Sequence, residues 1–229
     1  MKLSKNQEMK VLFWAALFTA LFPVEVFGQA VMVFGLDETG SYDLRNKGIN
    51  AGIRVIQGLK SGDVFYARRI TENSYHDSCS LFRLTIPDTG KPPENKFDRI
   101  AHTEWQKRVK SAEAVKIKAI NILSYLGPVK APRTDIWGFL AAAAVRLRAE
   151  DGGNGNIRKV IIASDMQDNV RRKTPLDLMG AEVAILAFEA GINPNATMKL
   201  QTYWTEQLKA SKAERVIFVP ADSPYTFKR

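Results

Sequence analysis

The segment Ala30-Val-Met-Val-Phe-Gly-Leu36 is apolar at every position and runs straight into Asp37. A strand with one wet face alternates apolar and polar residues. A strand without alternation has to be covered on both faces, which is the situation at the centre of a parallel sheet sandwiched by helices. Two later runs repeat the feature, Lys159-Val-Ile-Ile-Ala-Ser164 ahead of Asp165 and Glu182-Val-Ala-Ile-Leu-Ala-Phe188. A final strand is expected at Arg215–Val219.

Between these runs the periodicity changes to that of helices. Ile49, Ile53, Ile56 and Leu59 predict a helix from about Asp43 to Leu59. A long helical pattern from about Phe97 to Leu126 carries Trp105, Val109, Ala112, Ile120, Leu123 and Leu126 on one side and Lys107, Arg108, Lys110, Lys116 and Lys118 on the other. Thr134 and Asp135 stand where a cap belongs, ahead of Ile136, Phe139, Leu140, Ala143, Ala144 and Leu147 at helical spacing. Another helix is expected near Met198–Ser211. Asp63–Ile70 and Ser80–Ile86 read as strands joined by a short polar connection, which suits an antiparallel hairpin at the sheet edge. The fold class is therefore α/β: a doubly wound, mostly parallel central sheet with helices on both faces and an antiparallel edge strand.

The first 28 residues read as a leader rather than as part of that fold. Lys2, Lys5 and Lys10 precede the apolar run Val11–Phe22, Pro23 ends it, and Val26-Phe27-Gly28 offers a cleavage site before Gln29. The run is short for a membrane span, which takes roughly 20 residues, so a signal peptide is expected, with an uncleaved anchor through residues 11–24 as the alternative. The expectation is one domain over 29–229 that is exported, periplasmic or extracellular. Cys79 is the sole cysteine, so no internal disulfide forms, which for an exported chain suits a bacterial envelope.

Three polar stretches fall at the ends of elements: Asp37-x-Thr39-x-Ser41 after the first strand, Thr134 before a helix, and Asp165 after a later strand. In an open α/β sheet, ligands bind beyond the carboxyl ends of the strands where strand order reverses. Two carboxylates and three hydroxyls gathered there suit a hard divalent cation. Because hydroxyls are neutral, such an ion keeps an appetite for one more anionic oxygen.

This arrangement resembles the von Willebrand factor type A (VWA) family, whose metal-ion-dependent adhesion site (MIDAS) is written Asp-x-Ser-x-Ser, then a distant Thr, then a distant Asp. The resemblance covers essentially residues 30–220. It implies that Asp37, Thr39, Ser41, Thr134 and Asp165 hold Mg²⁺ (or Mn²⁺ or Ca²⁺), directly or through water. It further implies a binding module, not an enzyme, in which the ion accepts an acidic residue of an unidentified protein partner. Two positions depart from the pattern: Thr39 replaces the first serine, and Met166 stands where a glycine commonly follows the last Asp.

Other readings start from the same residues. Asp37-x-Thr39 resembles the start of a haloacid-dehalogenase phosphoester hydrolase, yet that family has Asp at the second site as general acid, work Thr39 cannot do. A metal-free structural module would use Asp37, Ser41, Thr134 and Asp165 as turn and cap residues. The formal charge of +9 and the run Arg171-Arg-Lys173 leave an anionic envelope surface open as a partner; export argues against nucleic acid. His76 and Cys79 have the spacing of half a zinc site, but no second pair exists, and they read as a surface loop.

Overall fold

A computed structural model describes residues 28–150, 156–188, 193–221, 223 and 225. The leader expected over residues 1–28 lies outside these but for Gly28, as does the glycine-rich turn at 152–155. Among the described residues no helix is long and apolar enough to cross a membrane.

The described residues form six strands, β1 (Ala30–Asp37), β2 (Val64–Ile70), β3 (Ser80–Thr85), β4 (Ile157–Ala163), β5 (Glu182–Phe188) and β6 (Arg215–Pro220). They form a single sheet in the order β3-β2-β1-β4-β5-β6. All neighbours are parallel except β2 and β3, which make the antiparallel edge, with a register shift at Ala67/Arg68. The helices are α1 (Arg45–Gly58), α2 (Arg99–Ser124), α3 (Ile136–Ala149) and α4 (Pro194–Ala210). The last starts four residues before the Met198 expected from periodicity. Asn193 caps it, accepting from the amides of Asn195 and Ala196, and Pro194 occupies its first turn, where a missing N–H does no harm.

β1 shows why the apolar run cannot alternate. All eight of its residues are buried. Val31 and Val33 pack with Phe139, Leu140, Trp204 and Leu208 of α3 and α4. Ala30, Met32, Phe34 and Leu36 pack with Ile49, Val55, Ile56 and Leu123 of α1 and α2 on the opposite face. Each helix pair thus covers one face, as the doubly wound reading expects.

Gly35 marks a tight helix–sheet approach. A Cβ there would stand 2.6 Å from Phe139 Cε2 and 2.9 Å from Ile70 Cδ1. Both neighbours are fully buried, so the site cannot expand without displacing α3. Gly35→Val is expected to destabilise the fold by about 1–3 kcal/mol, as overpacking does, read as a lowered urea midpoint at unchanged slope. A midpoint equal to the parent's would mean that α3 is not seated on β1 as described.

The strand order reverses between β1 and β4, since the chain moves outward from β1 through β2 to β3 and then returns to place β4 on the other side. This is the topological switch point of a doubly wound sheet. β1 ends at Asp37, and Asp165 follows β4 by two residues.

Candidate metal centre at the switch point

All five residues anticipated from the sequence meet at this end of the sheet. Asp37 is wholly buried, and its Oδ1 accepts hydrogen bonds from the Thr39 amide (2.9 Å) and hydroxyl (2.7 Å). That closes an Asx-type turn and bends the chain away from β1. The Thr134 hydroxyl donates to Thr39 Oγ1 at 3.0 Å, and Ser41 Oγ lies 3.2 Å from the same atom. Ser41 also lies beside the Asp165 carboxyl and favours its charged form. Thr39 Oγ1 is therefore the hub of the set, with Asp37, Thr39 and Thr134 buried beneath an exposed Ser41 and a half-buried Asp165. The opening to solvent lies on the Ser41 and Asp165 side.

Residues that the sequence did not single out hold the set in place. Ser164 donates to Asp37 Oδ2 at 2.6 Å and accepts from the Met166 amide at 2.9 Å, so it joins the ends of β1 and β4. Asn169 Oδ1 accepts from the Thr134 amide at 2.7 Å, and the Thr134 carbonyl accepts from the amides of Asn169 and Val170. Asp168 Oδ1 accepts from the first amide of α3, at Ile136 (2.9 Å), while Asp135 caps the helix through the Gly138 amide (2.8 Å). These bonds satisfy orphan donors of the helix N-terminus and fix Thr134 at its threshold. Asp135 is the cap that the sequence indicated; for Ser164, Asp168 and Asn169 the only signal was the density of Asp, Asn and Ser after β4, which did not say which groups they serve.

Met166, the departure from the family pattern, takes a left-handed backbone with φ 62°. That conformation favours glycine, which is the physical reason for a glycine there. In this chain the methionine is completely buried and its carbonyl accepts from Trp204 Nε1 at 2.7 Å. Packing and the indole bond offset the backbone strain and keep the turn that presents Asp165. Thr39, the other departure, keeps its hydroxyl in the hub.

The electrostatics are unusual for residues that only make turns. Burial raises the Asp37 carboxyl to about 6, against the hydrogen bonds from Ser164 and Thr39 that lower it. Burial also raises Asp165, and its Oδ2 is buried with no hydrogen-bond partner. An orphaned carboxylate oxygen inside a protein carries its full desolvation cost. A cation among these oxygens would remove it, so the donor set fits a hard divalent ion. Among the described residues no three His, Cys, Asp or Glu side chains gather as a metal group. The set supplies only two carboxylates, and its remaining oxygens are hydroxyls. The His76–Cys79 pair is no metal site: Cys79 is buried against Thr71, and His76 Nδ1 accepts from the Ser78 amide as the cap of a short 3₁₀ turn.

A scan against protein-family models finds no match, and no curated protein matches the sequence. Solved structures do match the fold. A von Willebrand factor type A protein from Catenulispora acidiphila aligns over 82% of this chain and 43% of its own, at 14% identity and a TM-score of 0.41. The pilus adhesin SpaC of Lactobacillus rhamnosus GG, in its open conformation, aligns over 87% of this chain and 28% of its own, at 10% identity and a TM-score of 0.50. The chain therefore spans less than half the length of either protein. With its strand order and its antiparallel edge strand, it has a doubly wound, Rossmann-type α/β fold.

Proposed function

We propose that this chain is a metal-dependent protein-binding module of the adhesion type, with Asp37, Thr39, Ser41, Thr134 and Asp165 as its metal-binding residues. The observation that carries the reading is the convergence of these oxygens at the switch point around two desolvated carboxyls, one with an orphaned oxygen. Mg²⁺, Mn²⁺ or Ca²⁺ bound there would present an open coordination position to an anionic oxygen. The protein's own residues do the rest. Asp37 and Thr39 anchor the floor, Thr134 is held by Asn169, and Ser41 and Asp165 line the rim where a partner's carboxylate would arrive. Likeness in fold to a pilus adhesin is in keeping with a role at the cell surface, as is the leader-like start of the sequence.

Binding is favoured over phosphoester hydrolysis by the state of Asp37. Both its oxygens are engaged by Thr39 and Ser164, and the residue two positions on is a threonine, which offers no acid to a leaving group.

Calorimetric titration of Mg²⁺ and of Mn²⁺ into the purified protein tests the reading. Saturable binding is expected in the parent and is expected to vanish in Asp165→Ala, which removes the orphaned oxygen while leaving the Asp37–Thr39–Thr134 chain intact. A parent that gives no saturable response, or a variant that binds as the parent does, would overturn it.

A further inference from the structure

A second polar cavity, formed by none of the five residues above, lies where β2 meets the loop before β3 and the outer side of α3. It encloses about 390 Å³ and is lined by Arg68, Tyr75, His76 and Arg146, with Ala142 and Val145 as its apolar wall. Arg68 is the unusual member. It lies at the register shift between β2 and β3 and is 1% exposed. A buried arginine is ordinarily paired with an acid. The partners of Arg68 are neutral: its Nη2 donates to the carbonyls of Ser74 (3.0 Å), Tyr75 (3.3 Å) and His76 (2.8 Å). Its Nε is buried with no acceptor at all. Burial pulls the guanidinium below its ordinary value, and Arg146 nearby pushes the same way.

Arg146 brings a second guanidinium to the cavity, poised over the Tyr66 ring at 5.5 Å. The acid that also lines the cavity, Asp77, has a side chain 90% exposed and stands 3.6 Å from Arg146, so it neutralises little. His76 Nδ1 accepts from the Ser78 amide, which leaves the proton of the neutral ring on Nε2, a donor. The cavity thus combines two guanidinium groups and an imidazole donor with one solvated carboxylate. A metal ion or an amine would be repelled. Asp77 offsets part of that charge, and the cavity keeps a net positive field that suits an anion with several acceptor oxygens.

We propose that this cavity binds a tetrahedral oxyanion, a phosphate or sulfate group, clasped between Arg68 and Arg146. Guanidinium groups match such oxygens with charge-assisted hydrogen bonds. The site is independent of the metal centre, and each stands or falls without the other.

The test follows the arginine Nε–Hε resonances of the ¹⁵N-labelled full chain during titration with sodium phosphate and, separately, sodium sulfate. EDTA is present throughout, and sodium chloride at matched ionic strength is the control. The Arg68 and Arg146 resonances are expected to shift saturably with the oxyanions and not with chloride. Arg146→Ala, a change at a partly exposed side chain, is expected to weaken binding at least about tenfold. Asp165→Ala is expected to bind phosphate as the parent does. A linear, chloride-like response would overturn the proposal, as would unchanged phosphate affinity in Arg146→Ala. A response to one oxyanion and not the other would support the site and assign its ligand.

Discussion

With divalent metal removed, Asp37→Asn is expected to be more stable than the parent at pH 7.5, and the same substitution is expected to abolish Mg²⁺ binding. The argument runs through the proton. An acid whose folded value lies above its unfolded one binds a proton more tightly in the native state. For Asp37 these values are about 6 and 3.8. Its contribution is therefore most favourable below the lower value, declines as pH rises between the two, and is a full cost above the upper. At about 1.4 kcal/mol per pH unit, that cost is at most about 3 kcal/mol at pH 7.5. Asparagine removes the buried charge. Its carbonyl oxygen still accepts from the Thr39 amide and hydroxyl, and its amide donates to Ser164 Oγ, whose own proton must then find another acceptor. Losing that one bond returns about 1 kcal/mol of the gain.

Urea midpoints at pH 4.5 and 7.5, in EDTA and in excess Mg²⁺, are the measurement. In EDTA the parent-to-variant difference should widen in the variant's favour as pH rises. In Mg²⁺ it should reverse, because only the parent gains the linkage stabilisation of a bound ion. A variant less stable than the parent in EDTA at pH 7.5 would mean that the Asp37 charge supports the fold, and the case for a carboxylate kept for metal would be lost.

The central strands were legible because burial on both faces leaves no alternation to misread. β5 ends at the residues its apolar run indicated, and β1 and β4 differ by a residue or two. That Asp37, Thr39, Ser41, Thr134 and Asp165 come together was legible for another reason: each is a small polar residue placed abruptly after an apolar run or before a helix. What supports them was not legible. Ser164 bonds a carboxylate 127 residues away, and Asn169 reaches back 35 residues to Thr134. Such pairings depend on the strand order, which periodicity does not encode. Arg68 was hidden for a similar reason. Within Val-Phe-Tyr-Ala-Arg-Arg-Ile it read as one of two strand arginines, and only the fold of the loop before β3, whose carbonyls it bonds, shows that it is buried.

Glu38 is the clearest case of a residue whose weight appears only in three dimensions. It occupies a variable position of the Asp37–Ser41 motif, yet its side chain is 1% exposed. Arg45 of α1 grips both its oxygens, at 2.6 and 3.0 Å, and Arg69 of β2 lies 3.4 Å away. The Val129 amide donates to Oε2 at 3.3 Å. The arginines reach on to the loop before Thr134, Arg45 to the Leu126 carbonyl at 2.9 Å and Arg69 to Gly127 at 3.1 Å. One carboxylate thereby ties together the end of β1, the start of α1, the end of β2 and the segment that delivers Thr134.

Removing one member of a buried ion cluster typically costs 3–5 kcal/mol. Arg45 and Arg69 keep some access to water, at 18% and 23% exposure, so Glu38→Ala is expected to cost about 2–4 kcal/mol. Glu38→Gln, which keeps the shape and some of the hydrogen bonds, should cost less. In a double-mutant cycle with Arg45→Ala the two changes should be strongly non-additive, because each leaves the other's partner stranded. A loss below about 1 kcal/mol for Glu38→Ala would show the cluster to be a solvated surface network. Calorimetry on the same variant, at a temperature where it remains folded, then separates two roles. Weaker Mg²⁺ binding would mean that the cluster positions Thr134 for the metal. Unchanged binding beside a large loss of stability would mean that Asn169 and Thr39 alone fix that threonine, and that Glu38 serves the fold.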